Sequence, residues 1–283
     1  MKLSGALFAL SVPIAALAAN VSTIDVPGPL GVGGTAPQAI NSLGAITGFS
    51  LDAAGVAHGF LLWKGKFTTI GYPGALQTSP RGINNEGDVV GQFDNGPAST
   101  TSGFIREENG TFRKVDYPGA TATGLFGMNE REQIVGNYQD SAGVSHGFLL
   151  EHGNYTAINP PGAVGGVTAT GINNLGDTVG FFISATGPQG FLRTPWGAYK
   201  TINVPGAVDS RARGINDLGE IAGQFKDSAG TTHAFRLSWG VFTTIDAPNA
   251  AATFGRGIND FAAIVGNYND KTTGALHGFL ATK

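Results

Sequence analysis

The sequence contains no cysteine. That absence removes disulfides, thiolate nucleophiles and cysteine-held metals together. Charge is scarce as well, at 13% of the 283 residues. Basic residues do not outnumber acidic ones: 17 Lys and Arg stand against 20 Asp and Glu, for a formal net charge of -3. A nucleic-acid-binding face would need the opposite balance. Beyond the first twenty residues no stretch nears the roughly 18 apolar residues of a membrane-spanning helix. No amphipathic helical run occurs in the mature chain either. With no Cys–His pair and no nucleophile elbow, hydrolysis by a familiar nucleophile is not expected.

The leader is distinct. Lys2 gives a positive start, Leu7 to Leu17 an apolar stretch, and Ala16-Leu17-Ala18 a small-residue cleavage site. Residues 1–18 therefore read as a secretory signal peptide, which makes the mature protein secreted or lumenal, with no membrane span. The sequons Asn20-Val21-Ser22, Asn109-Gly110-Thr111 and Asn154-Tyr155-Thr156 permit glycosylation in that compartment.

The rest of the chain is repetition. Gly214-Ile215-Asn216-Asp217-Leu218-Gly219 has counterparts at Ile40-Asn41, Ile83-Asn84, Met128-Asn129, Ile172-Asn173 and Ile258-Asn259. The six Asn lie 43, 45, 44, 43 and 43 residues apart. A second landmark keeps the same period: His58-Gly59-Phe60, Ser102-Gly103-Phe104, His146-Gly147-Phe148, Gln189-Gly190-Phe191, His233-Ala234-Phe235 and His277-Gly278-Phe279. Aromatic and β-branched residues between Gly-bearing turns make four short strands per period, here named A to D. A ends at Ile-Asn, B and C follow as hairpins, and D runs into a turn such as Pro73-Gly74 or Pro205-Gly206.

The two ends of the chain complement each other. After the leader the chain opens with a lone D strand, Ser22 to Asp25, and it closes at Lys283 after A, B and C of the sixth copy. A ring explains that permutation, because the N-terminal strand completes the last sheet and removes both exposed edges. The expected fold is all-β: one domain over 19–283, a six-bladed β-propeller of four-stranded blades closed by the N-terminal strand.

Two residue sets invite chemistry and have plainer explanations. His58, His146, His233 and His277 sit on the C strands of different blades, too far apart to meet at one ion, so a repeated structural hydrogen bond explains them. Asp52, Asp140, Asp227 and Asp270 open B–C turns that end in Gly, where Asp caps its own backbone. No metal and no cofactor are expected.

More informative are positions where the copies disagree. The residue before each Gly/Ala-Ile/Met-Asn is Gln38, Arg81, Phe126, Thr170, Arg213 and Arg256. Two positions earlier stand Ala36, Ser79, Gly124, Thr168, Arg211 and Phe254. A is the innermost strand of a propeller, and its first residues border the channel mouth. Arg81, Arg211, Arg213 and Arg256 thus gather at one opening, although the repeat itself does not require arginine there. They either brace neighbouring blades or form a cationic pocket for an oxyanion, phenolate or carboxylate. The pocket reading makes Arg81, Arg213 and Arg256 catalytic. Phe126, Thr170, Asp209, Arg211 and Phe254 then line the substrate, with Tyr72, Gln77 and Tyr117 from the D–A loops. Tyr72 and Tyr117 serve equally well as turn packing.

At Gly-Ile-Asn-x-x-Gly and His-Gly/Ala-Phe the chain resembles the bacterial HAF-type extracellular repeat proteins, over 22–283. Propellers of this style and size are similar to the fungal intermolecular hetero-Diels–Alderases of tropolone-sesquiterpenoid pathways. That resemblance implies a cofactor-independent pericyclase joining a quinone methide to a humulene-type alkene. No catalytic motif of that family maps here residue by residue. The alternative is a secreted glycan-binding, lectin-like propeller. A lectin should repeat its site in every blade, whereas the Arg and aromatics here are unequal between blades.

Overall fold

The computed structural model describes residues 15–16, 20–94 and 101–283. It is all-β, with six antiparallel four-stranded sheets in the order A-B-C-D. The first blade is Gly34–Ile40, Ile46–Leu51, Ala57–Trp63 and Lys66–Ile70. The others repeat this plan, with A strands Gln77–Ile83, Ala122–Met128, Val167–Ile172, Asp209–Ile215 and Ala250–Ile258. Each A strand contacts the next A strand, and the sixth returns to the first, so the A strands ring the axis. Strand Asn20–Ile24 supplies D of the sixth blade, pairing from Asn20 with Thr282 to Ile24 with Gly278. Closure therefore begins two residues earlier than Ser22. The expected leader lies outside the described residues except for Ala15 and Ala16, which pair in parallel with Thr243 and Thr244 at the edge of the fifth blade.

Two repeated residues explain the packing. The Phe of each His-Gly-Phe step is sunk in its blade: Phe104, Phe148, Phe235 and Phe279 are wholly buried, and Phe60 and Phe191 nearly so. Each lies over the Gly of strand B. A Cβ on Gly91 would stand 2.4 Å from the Ser79 carbonyl oxygen of strand A and 2.8 Å from the Phe104 ring, which is why that strand carries Gly there. Burying such a ring contributes about 1.5–3 kcal/mol. Six apolar clusters form this way, drawing their members from neighbouring sheets.

The Asn of Ile-Asn does two jobs. Its Oδ1 accepts from its own turn, as Asn216 does from Leu218 N at 3.1 Å and Glu220 N at 2.9 Å. Its Nδ2 donates to the equivalent carbonyl of the next blade: Asn41 to Asn84, Asn129 to Asn173, Asn173 to Asn216, Asn216 to Asn259 and Asn259 to Asn41, at 2.9–3.1 Å. Asn84 departs from the pattern, its Nδ2 reaching Asp88 instead. The next residue makes a second ring without that exception. The N–H groups of Ser42, Asn85, Glu130, Asn174, Asp217 and Asp260 each donate to a side-chain oxygen of the following blade's member, and Asp260 closes onto Ser42. These links leave no room between A strands. A Cβ on Gly214 would lie 2.8 Å from the Arg256 carbonyl oxygen.

The histidines are staples between strand C and Asp. His58 bonds Asp52 at 2.9 Å, His146 bonds Asp140 at 2.8 Å and His277 bonds Asp25 at 2.8 Å. His233 bonds both Asp246 at 2.9 Å and Asp227 at 3.4 Å. Burial pulls the His233 imidazole down, but hydrogen bonds and charge attraction from Asp246 and then Asp227 outweigh it and raise its pKa.

Two outcomes follow. Asn216→Ala removes a turn cap and a buried blade-to-blade bond at once, and should cost about 2–4 kcal/mol in denaturant unfolding. The His233 contribution is complete below its ordinary value of 6.5 and is lost as pH rises through the raised value. The melting-temperature gap between wild type and His233→Gln should therefore be widest near about pH 5 and shrink toward about pH 9.

Candidate functional site

Every A strand slips register against B by one residue at the same place: between Pro37 and Ala39, Pro80 and Gly82, Leu125 and Gly127, Ala169 and Gly171, Ala212 and Gly214, and Gly255 and Gly257. The residue left over in each is Gln38, Arg81, Phe126, Thr170, Arg213 or Arg256. A β-bulge re-aims the side chain of its unpaired residue. All six turn to the axis and enclose one cavity of about 30 Å³. Below it the channel continues past Ile40 and its equivalents as a space of about 100 Å³. The fold sets the bulge, and only the side chain differs between blades.

Around the ring the order is Gln38, Arg81, Phe126, Thr170, Arg213, Arg256, so Arg81 faces Arg213 across the axis. Arg81 donates from Nη1 to Gln38 Oε1 at 3.0 Å and lies over the Phe49 and Phe126 rings at 5.1 and 5.8 Å. Arg256 donates from Nε to Asn267 Oδ1 at 3.4 Å and lies over Phe254 at 5.8 Å. Arg213 stacks over Phe181 at 4.7 Å and has no hydrogen-bond partner among the described residues, its Nε being out of water. The Arg81 Nε is buried and unpartnered in the same way. Arg211 shares Phe181 at 5.0 Å, but its charge is taken by Asp209 through bonds of 3.0 and 2.9 Å. Three guanidiniums thus converge with no carboxylate of their own.

Their acidities follow from that arrangement. Burial pushes Arg81 and Arg256 down to about 10, helped at Arg256 by the charges of Arg81 and Arg211. Arg213 falls well below the usual guanidinium value, from burial first and then from Arg256, Arg211 and Arg81, with Asp209 opposing. The arginines at this opening are half-buried; the Nε groups of Arg81 and Arg213 are shut away from water, so leaving them unpaired is costly and an incoming anion is strongly held.

The other expected site residues divide. Phe126 and Thr170 line the cavity, although the Thr170 hydroxyl donates to the Ala212 carbonyl at 3.0 Å and its proton is committed. Asp209, Arg211 and Phe254 stand one layer outward. Tyr72 and Tyr117 do not reach the ring: they stack on Phe93 and Tyr138 at 3.6 and 3.7 Å and pack into the clusters beneath their turns. Gln77 bridges the first two blades, accepting from Ala57 N at 3.2 Å and donating to Asp94 at 3.3 Å. A layer not anticipated is the residue after the strand-B Gly: Phe49, Gln92, Asn137, Phe181, Gln224 and Asn267. It also varies between copies, and that variation was its signal. Phe49, Phe181 and Asn267 carry the arginines, and Gln224 Oε1 is buried without a partner beside Arg211.

Larger space exists elsewhere. A cleft of about 760 Å³ opens between the second and third blades at the opposite end of the barrel of strands, rimmed by Glu86, Asp88, Glu107, Glu108 and Glu132. That rim repels anions, and its neighbour of about 320 Å³ holds Trp63, Arg106 and Glu108. Gly143-Val144-Ser145-His146-Gly147 spells a nucleophile-turn motif, but Ser145 begins the strand Ser145–Glu151 with no helix after it, and His146 is tied to Asp140.

The fold and site define a six-bladed β-propeller with one axial cationic mouth. No known family profile and no characterised protein matches the sequence. Solved structures do resemble it. SapL1 lectin, in complex with α-methyl fucoside, superimposes with a TM-score of 0.60 at 9% identity, over 90% of this chain and 94% of that one. The Aleuria aurantia lectin gives 0.56 at 12%, over 90% and 93%. A catalytically inactive virginiamycin B lyase from Staphylococcus aureus, crystallised with quinupristin, gives 0.53 at 14%, over 94% and 100%. These likenesses establish the fold alone; lectins and an enzyme share it. Among the described residues, no helix is long and apolar enough to cross a membrane.

If the arginines are present for a ligand, replacing one should not harm the fold. Arg213→Met keeps the stem packing and removes a buried unpaired charge, so at low salt its melting temperature should equal or exceed that of wild type. A fall of several degrees would show that Arg213 braces the blades.

Proposed function

We propose that the axial mouth binds the oxygen of a small molecule and stabilises negative charge on it, and that the protein is a cofactor-independent pericyclase of the hetero-Diels–Alder type. The observation that carries this reading is Arg213, half-buried with its Nε out of water and unpartnered, facing Arg81 across a space of about 30 Å³. That space admits one oxygen-bearing head group. The remainder of the substrate lies outside it, against the D–A loops.

The chemistry suits the groups present. In a hetero-Diels–Alder addition the C=C–C=O unit of a quinone methide meets an alkene; one C–C and one C–O bond form, and no atom leaves. As the C–C bond leads, the carbonyl oxygen becomes phenolate-like and the alkene carbon cationic. Guanidinium donors already aimed at that oxygen lower the barrier without proton transfer or redox change. Phe126 and Phe254 supply apolar wall for a hydrocarbon partner. A secretory leader would place the reaction in a secretory lumen or outside the cell.

A second reading rests on the groove of about 320 Å³ between the first two blades, where Trp63, Arg106 and Glu108 meet. An indole face with an Arg and a carboxylate is suited to a sugar, and lectins are among the structural neighbours. It would be one glycan site rather than six.

The two readings separate in one set of assays. Purified protein is given a quinone methide and a humulene-type alkene, and adduct formation is followed against the uncatalysed rate. Arg213→Ala should lose about 1.5–3 kcal/mol of transition-state stabilisation, or roughly 10- to 150-fold in rate. Trp63→Ala should leave that rate unchanged. No acceleration by wild type, with glycan binding abolished by Trp63→Ala, would establish the lectin reading instead.

A further inference from the structure

Resting on the reading of the mouth as a ligand site, we infer that the resting protein holds one compact monovalent anion of halide size on the propeller axis, which the substrate oxygen displaces. Arg81, Arg213 and Arg256 converge on one cavity whose lining holds no carboxylate, and nearby Asp209 is engaged by Arg211. The Nε atoms of Arg81 and Arg213, residues that stand opposite each other in the ring, lack a partner and lie out of water. Three like charges crowded into a half-buried ring repel one another, and partly buried charges are screened less by bulk counterions than exposed ones. An anion within the ring relieves it directly.

Size selects the anion. About 30 Å³ is room for one sphere of water or halide dimensions. A tetrahedral oxyanion needs more, and donors around all four oxygens. Here the sector opposite Arg256 and Gln38 is the Phe126 ring and Thr170, whose hydroxyl proton is given to Ala212. One side of the cavity therefore donates and the other does not. That suits a single spherical charge held off-centre toward Arg256 and Gln38, with Arg213 and Arg81 on either flank. The same geometry explains how the site passes from resting to loaded: one monovalent anion leaves as one oxygen enters, and the ring's charge balance is kept.

The test uses the intact protein in sodium gluconate, chloride or bromide at matched ionic strength and pH. Chloride and bromide should raise the melting temperature saturably, by about 5 °C or more near saturation, while gluconate does not. Bromide or chloride nuclear resonance should broaden severalfold in the presence of wild type. Arg213→Met should abolish both responses. Arg256→Gln, offered in case the first variant folds poorly, should weaken them at least tenfold. Equal melting temperatures and line widths in all three salts, or responses that survive both substitutions, overturn the inference. Benzoate separates this claim from the one beneath it. Benzoate that binds at the mouth in gluconate with no halide response leaves the ligand site standing and removes the resting halide. A halide response that benzoate cannot displace keeps the halide and removes the substrate site.

Discussion

The structure depends on one constraint: six strands must meet around an axis closely enough for side-chain amides to reach the next blade's backbone. Asn at the end of strand A satisfies its own turn and bonds across the blade boundary, so local and global order are fixed by one residue type. Close approach then favours Gly between bulge and Asn, where in five blades a Cβ would strike the neighbouring blade; the first carries Ala39. The bulge just above is where that tightness is relieved. It leaves one residue per blade unpaired and aims it inward. The mouth is thus a by-product of ring closure, and what fills it is unconstrained by the fold.

That freedom makes the chosen residues meaningful. Gln, Arg, Phe, Thr, Arg and Arg occupy six places that are equivalent in backbone terms. A bracing role would predict guanidiniums bonded to neighbouring carbonyls or carboxylates, as Arg211 is bonded to Asp209 and Arg236 to Glu220. Arg213 instead rests on an aromatic face with its donors to spare, and Arg81 and Arg256, also over aromatic rings, give one bond each to the neutral amides of Gln38 and Asn267. Flat rings hold the guanidiniums in place without consuming their hydrogen bonds, which is the preorganisation a developing oxyanion requires.

Much of this was legible in the sequence because the period is long and regular. The 43–45-residue spacing of Asn and the lone D strand at the start led directly to six blades closed by the N terminus. Disagreement between copies pointed to the inward residues of strand A. Three things were less visible. The bulge has no letter of its own, so the sequence placed the Arg side chains at the opening without showing what aims them at the axis. The Asn amide reaches a residue about 43 positions away, and a turn signal gives no hint of that partner. Tyr72 and Tyr117 vary between blades as site residues do, yet they vary to match the ring beneath them, Phe93 or Tyr138. Variation marks a function only where the backbone leaves the side chain without a structural partner.

The central claim is that the axial arginines exist to hold an oxygen. A crystal structure with a bound phenolate or aromatic carboxylate tests it most directly. The account predicts one ligand oxygen on the axis within about 3 Å of Arg213 and at least one of Arg81 and Arg256, with the ring of the ligand toward the D–A loops. A ligand seated in the groove beside Trp63 or in the acidic cleft, with the axial mouth unvisited at saturating concentration, would contradict it.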